Sequence, residues 1–296
     1  MPETETVKIA LVQMPCSKER EENCRKAFEQ VQKAADKGAE IVCLQELFSG
    51  QYFCQKEEFS PFDDAEAIPG PLTDRLSSLA AETGVVLIAS VFEQRRRGLY
   101  HNTTVVFETD GRLLGKYRKM HIPDDPGYYE KFYFTPGDLG YVVFETSVAS
   151  VGVLVCWDQW FPEAARILAL KGAQIIFCPT AIGWALGDPS ETSRRAEENR
   201  REQLAAWIDI QRSHAIANGV FIAAVNRVGT EGGIEFWGNS FVCNPIGRIT
   251  AAADASPATL LDDCDLGQID YYRQRWPLLR DRRIETYAEI MQRCID

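Results

Sequence analysis

The sequence predicts an α/β fold in which two β-sheets pack face to face with helices outside both, a four-layer α-β-β-α arrangement. Three observations lead there. Strand-like and helix-like patterns alternate along the whole chain. The strand runs come to about twelve, more than one open sheet usually holds. No Gly/Ser-rich or Pro-rich linker and no short-period repeat divides the chain, so one domain of about 260 residues is the simplest organisation.

In order, KIALVQM (8–14) reads as a strand and residues 20–37 as an amphipathic helix. EIVCLQE (40–46) is a strand, and PLTDRLSSLAAETG (71–84) is a helix stopped by Gly84. Three strands follow, at 85–93, 99–108 and 112–120, with Thr109-Asp110-Gly111 turning a hairpin between the last two. A Pro- and Gly-rich loop covers 121–140. Strands are expected at 141–146, 150–156 and 173–180, with a helix at 162–172. After an irregular loop (181–196), a charged helix spans 197–218 and ends at Asn218-Gly219, a good left-handed cap. Strands at 220–229 and 236–245 precede a hairpin turn at 245–247. The residues from 267 onward form a C-terminal extension with a short helix, Pro277 and a final helix near 284–294.

Composition narrows the function. The chain has 296 residues, 45% hydrophobic and 25% charged, with a net charge of −11. No basic run exceeds Arg95-Arg96-Arg97, which argues against nucleic acid or an anionic membrane as partner. The acidic balance is compatible with a cationic substrate. No apolar run approaches the ~18 residues of a membrane span, and the polar N-terminus lacks a leader pattern. Nine cysteines, an odd number without a CxxC pair, read as reduced thiols in a cytoplasmic protein rather than disulfides or a zinc site. Core packing is expected for all but Cys156. GxSxG, GxGxxG and HExxH patterns are absent, and GRLLGKY (111–117) is one residue short of a P-loop.

Cys156 stands apart because of GVLVCWDQWFPE (152–163). An apolar strand ends in the thiol, a polar turn follows, and Pro162 opens a helix. Such a strand–turn–helix holds a nucleophile rigidly with its reactive atom exposed. A thiol nucleophile needs a group that ionises it. Of the three histidines, only His121 sits at a strand end beside a loop, and a Cys–His pair is one option. Glu46 and Lys119 are the stronger candidates. Each ends an apolar strand where it meets a loop, as Cys156 does. Either alone would ordinarily be a solvated surface charge. Together, Glu46 can take the thiol proton, while Lys119 can lower the thiol pKa and stabilise an oxyanion with the N–H after Cys156.

These residues lie in LQELF (44–48), YRKMHIP (117–123) and VLVCWDQWFPE (153–163), and with GAQIIFCPTA (172–181) and AVNRVG (224–229) the chain resembles the nitrilase superfamily, the carbon–nitrogen hydrolases. The match covers residues 8–266. The resemblance implies an α-β-β-α sandwich, no metal or other cofactor, and a homo-oligomer that the 267–296 extension contacts. It implies Glu46 as general base, Lys119 as oxyanion stabiliser, Cys156 as nucleophile and Glu130 as a second glutamate that positions the lysine or the substrate. Within the superfamily, CWDQWFPE and HIPDDPGYYEKFYFTPGD look most like the N-carbamoylputrescine amidase branch, which cleaves a ureido group from a diamine. A β-ureidopropionase-like amidase, an ω-amidase, a nitrilase and a non-catalytic binding protein on the same fold are the other readings. A cationic N-carbamoyl amine calls for acidic and aromatic walls. Asp125, Asp158, Asp188 and Glu191 supply acid in the expected loops, and Trp157, Trp160 and Trp184 could line a methylene chain or face an ammonium. Each also has a plain reading as solvated carboxylate or packing. The segment WALGDPSETSRRA (184–196) departs from the pattern of the plant members.

Overall fold

The computed structural model of the chain describes residues 6–186 and 193–295. Two six-stranded sheets dominate it. In the first, Thr6–Gln13, Ile41–Leu44 and Val86–Arg96 are parallel neighbours. Leu99–Phe107 and Leu113–Arg118 extend one side as antiparallel strands, and Ala258–Asp265 pairs antiparallel with Thr6–Gln13 at the other edge. The second sheet repeats the plan. Ser150–Val153, Ile175–Thr180 and Phe221–Asn226 are parallel at its centre, with antiparallel strands Val143–Glu145 on one side and Phe241–Cys243 and Ile249–Ala252 on the other.

The two-residue period of a strand decides which layer each side chain enters. Val7, Ile9 and Leu11 face inward and share a core with Val151, Val153 and Phe177 of the other sheet. Ala10 and Val12, between them in sequence, face outward and pack with Ala27 and Val31 of helix Arg20–Asp36 and Leu76 of helix Pro71–Thr83. Beyond the second sheet, Ile176 and Ile222 meet Leu168 of helix Pro162–Leu170 and Trp207 of helix Ser193–Asn218. The parallel strands are buried on both faces, which is why their sequences read as continuous apolar runs. The layer order is therefore helix, sheet, sheet, helix. Gly84, Gly111 and Gly219 take φ of 66°, 82° and 59°, the left-handed conformation their stops and turn require.

Some elements differ from the sequence reading. VFIAAVNRVG is broken at Asn226, whose side chain bonds the backbone N–H and carbonyl of Ile182 at 3.0 and 2.9 Å. Val228–Glu231 thereby leaves the main sheet and builds a small third sheet with Ile234–Trp237 and Gly183–Ala185. FWGNSFVCNP is broken at Gly238 and Asn239, which take φ of 59° and 55°. The predicted final helix is reduced to single turns at Ile284–Thr286 and Ala288–Met291. Residues there are exposed, so no tertiary face supports a short helix that is marginal in water by itself. Cys294 is exposed in this tail rather than packed, whereas the other eight cysteines are buried and free. Burial in the central core continues past residue 266 to Ile269, on helix Gly267–Arg275.

Phe177 lies between the two sheets with no exposure. Phe177→Ala is expected to destabilise the fold by about 3–5 kcal/mol, read as a lower urea midpoint at unchanged m-value.

Candidate active site

Three chain segments converge just beyond the C-terminal ends of strands. Glu46 lies two residues past Ile41–Leu44, Lys119 directly follows Leu113–Arg118, and Cys156 lies three past Ser150–Val153. The thiol is therefore not at the strand tip itself. It opens a 3-10 turn, Cys156–Trp160, that leads into Pro162. Glu46 and Lys119 are both 0% exposed, so the solvated reading of these two charges fails.

Lys119 Nζ sits 3.0 Å from Glu46 Oε1 and 2.6 Å from Glu130 Oε2. Asn102 Nδ2 donates to the same Glu46 oxygen at 2.7 Å, and Tyr52 OH donates to Glu130 Oε1 at 2.7 Å. Glu46 Oε2 is buried without a hydrogen-bond partner. Burial would pull the Lys119 ammonium pKa down, but Glu130 and Glu46 reverse this and hold it well above its usual value. Burial lifts Glu130 to about 7 against the pull of Lys119, with Glu46 adding to the rise. Burial also pushes the Cys156 thiol well above its ordinary pKa; Glu46 adds to that, and Lys119 offsets only part. Burial and the carboxylates thus favour a neutral thiol beside a charged ammonium, so the expectation that Lys119 lowers the thiol pKa holds in direction but not in net effect.

Cys156 takes φ of 46°, a left-handed conformation that strains a non-glycine residue and persists only where surroundings enforce it. Asp158 does the enforcing. Its carboxylate accepts from Val155 N–H (3.1 Å), Tyr117 OH (2.8 Å), and the N–H and Nδ1 of His121 (both 2.8 Å). Asp158 is thus a fully buried brace and not a substrate contact. The same bonds, with ring stacking on Phe161 at 3.7 Å, hold His121 to Asp158, and the Cys–His option falls away. The N–H of Trp157 lies in the opening turn after Cys156, where helical segments lack internal acceptors.

A cavity of about 330 Å³ opens over Cys156, walled by Pro123, Tyr128, Trp157, Trp160, Ile182 and Trp237, with Asp125 and Gln203 as polar groups. Trp157 and Asp125 fall where the sequence reading put them. Trp184 does not: it packs behind Trp237 at 5.3 Å between ring centroids and carries Arg200 on its face. Asp188 and Glu191 lie outside the described residues. Asn102, Tyr52, Tyr128 and Trp237 were missed. Asn102 had a signal, since an Asn inside an apolar strand run needs a buried partner; Tyr52 and Trp237 had none. Among the described residues no group of three or more His, Cys, Asp or Glu side chains could hold a metal ion.

The family model for carbon–nitrogen hydrolases matches residues 8–274. The chain belongs to that family. A solved carbon–nitrogen hydrolase from Helicobacter pylori superposes with a TM-score of 0.93 at 45% identity, covering 98% of this chain and 100% of that one. N-carbamoylputrescine amidase of Solanum lycopersicum is 43% identical over 96% of this chain and 95% of its own length. Citrullinase of Francisella tularensis is 39% identical over 97% and 99%. The solved structure shares the sandwich fold of this carbon–nitrogen hydrolase.

Glu130 yields a pH prediction. A carboxyl raised above its unfolded value favours the fold at low pH and loses that contribution as pH rises through about 7. Activity runs the other way, because protonated Glu130 no longer pairs with Lys119. Turnover is expected to fall as pH drops below about 7, and Glu130→Gln should flatten that limb while lowering the maximum, measured by initial rates across the neutral range.

Proposed function

We propose that this carbon–nitrogen hydrolase removes the ureido group of a cationic N-carbamoyl amine, N-carbamoylputrescine fitting best, and releases the amine, ammonia and carbon dioxide. The cavity over Cys156 carries this reading. Its walls are aromatic, and among the described residues Asp125 is its charged group. Tyr128, Trp157 and Trp160 suit a methylene chain, and Asp125 suits a terminal ammonium. A carboxylate tail, as an ω-amidase substrate carries, would call for Lys or Arg on the wall. Two relatives are named for ureido compounds, which supports the ureido class.

In this reading Glu46 Oε2, the unpartnered oxygen, takes the thiol proton as Cys156 Sγ attacks the carbamoyl carbon. The oxyanion forms against Lys119 Nζ and the Trp157 N–H. Collapse breaks the C–N bond to the amine, which leaves with the proton from Glu46. Water, deprotonated by Glu46, then cleaves the carbamoyl thioester, and carbamic acid falls apart to ammonia and carbon dioxide. Glu130 keeps the ammonium charged and in place.

The same proposal makes the protein a cytoplasmic homo-oligomer without nucleic-acid or membrane partners. Residues 8–266 form the catalytic domain, and the extension from 267 supplies subunit contacts. Trp276, Ile284, Ile290 and Met291, exposed on the single chain, support that role for the tail. Among the described residues no helix is long and apolar enough to cross a membrane.

Cys156→Ala should abolish ammonia release at an unchanged melting temperature; substantial residual turnover would sink the mechanism. In a panel of N-carbamoylputrescine, N-carbamoyl-β-alanine, a dicarboxylic monoamide and a simple nitrile, the cationic compound should rank first. Asp125→Asn should raise its KM up to about fivefold, the scale of the ~1 kcal/mol upper end for an exposed charge pair, and leave that of an uncharged N-carbamoyl alkylamine unchanged. A neutral or anionic compound ranking first would overturn the substrate assignment.

A further inference from the structure

We infer that the buried Arg227–Glu231 pair is a positioning device for both carboxylates that flank Lys119, holding Glu46 through its backbone and Glu130 through Tyr52. The inference rests on reading Glu46, Lys119, Glu130 and Cys156 as the reacting set.

Arg227 follows strand Phe221–Asn226 of the second sheet, whereas Glu46 follows a strand of the first. The guanidinium therefore bridges the two halves of the sandwich. It is 0% exposed. Nη2 donates to the carbonyl of Glu46 at 2.8 Å and to that of Leu47 at 3.1 Å. Nη1 donates to both Glu231 carboxylate oxygens, at 2.9 and 2.8 Å, and to the Gly50 carbonyl at 3.2 Å. The chain needs this hold, because Leu47 takes φ of 47°, a left-handed conformation costly for a branched residue. Its N–H is tied from the other side to Ser90 Oγ at 3.1 Å, and the Ser90 hydroxyl donates to Asn102 Oδ1 at 3.1 Å. Asn102 is the residue that donates to Glu46 Oε1. Backbone and carboxylate of Glu46 are thus clamped by separate partners.

The other end of the pair reaches Glu130. Glu231 Oε2 accepts the Tyr52 N–H at 2.6 Å, and the Tyr52 hydroxyl donates to Glu130 Oε1. One ion pair accordingly sets the spacing of the two carboxylates between which Lys119 sits. Burying an Arg–Glu pair carries a desolvation penalty that an apolar pair of equal volume avoids, so stability alone does not call for it. Neither residue lines the cavity over Cys156. A change there should act on the chemical step and leave substrate binding alone.

The test uses Arg227→Lys and Tyr52→Phe in the full chain, with melting temperature as the folding control. Two readouts are taken: kcat and KM for the best panel substrate, and the rate of Cys156 alkylation by iodoacetamide against pH, followed by peptide mass. Lysine keeps the charge and loses the fork onto the Glu46 and Leu47 carbonyls. Arg227→Lys is expected to lower kcat and the alkylation rate by about tenfold or more with KM within about twofold, as for a misplaced reacting group. A folded variant with both rates within about twofold of the parent overturns the inference. Should Arg227→Lys fail to fold, Tyr52→Phe decides. Cys156 feels the charge of Glu130, so the alkylation profile carries the Glu130 titration. Losing the Tyr52 donor should move that step to higher pH, and an unmoved step overturns the inference. Alkylation needs no substrate: if no panel compound releases ammonia, the functional reading fails while the alkylation results still decide the positioning role.

Discussion

One ammonium group buried between two carboxylates constrains much of the molecule. Taking Lys119, Glu46 and Glu130 out of water carries a penalty of several kcal/mol per ion, and close ion-pair geometry with supporting hydrogen bonds offsets it. The fold meets that requirement by bringing the ends of strands together. Glu46 and Lys119 come from the same sheet, on either side of strands Val86–Arg96 and Leu99–Phe107. Cys156 comes from the other sheet, and Glu130 opens the one-turn helix Glu130–Tyr133 that interrupts the predicted loop after Lys119. Asn102, on the strand next to the one that delivers Lys119, adds a hydrogen bond to the Glu46 carboxylate.

Burial also governs the state of the thiol. It disfavours a Cys156 thiolate most, the Glu46 carboxylate adds to that, and Lys119 offsets only part. A thiolate is disfavoured there until a substrate carbonyl offers a place for charge to go. In the proposed mechanism, proton transfer to Glu46 and attack on the carbon are therefore coupled. This distinguishes the arrangement from cysteine sites where a cation alone presets the thiolate.

Asp158 shows how such a site is held. It joins the Lys119 strand, through Tyr117 and His121, to the strained turn at Cys156, through Val155. Its carboxylate is spent on internal bonds, and the cavity is left with Asp125 as its described acidic wall. In sequence the two aspartates look alike, since both lie in short polar segments that follow strand ends. Only their partners separate a brace from a wall. Trp157 and Trp184 divide the same way: one lines the cavity, while the other supports Trp237 from behind.

The amino-acid pattern by itself determined the layers, the order of most elements and the three residues Glu46, Lys119 and Cys156. Alternation of apolar runs and helical stripes is a local property, and a charged or nucleophilic residue at the end of an apolar strand is visible without coordinates. What only the tertiary structure decided are the relations across long sequence separation. Strands broken at Asn226 and at Gly238-Asn239 look continuous because the groups that bend them, the Ile182 backbone among others, lie far away along the chain. The neutral state of Cys156 depends on how deeply it is buried and how many carboxylates face it. Tyr52, Arg227 and Glu231 join the site through hydrogen bonds that no local pattern announces, and only the fold identifies Glu46 as the partner a buried Asn102 needs. Sequence names the groups that can react; packing sets their distances and solvation, and these decide which charge each one keeps.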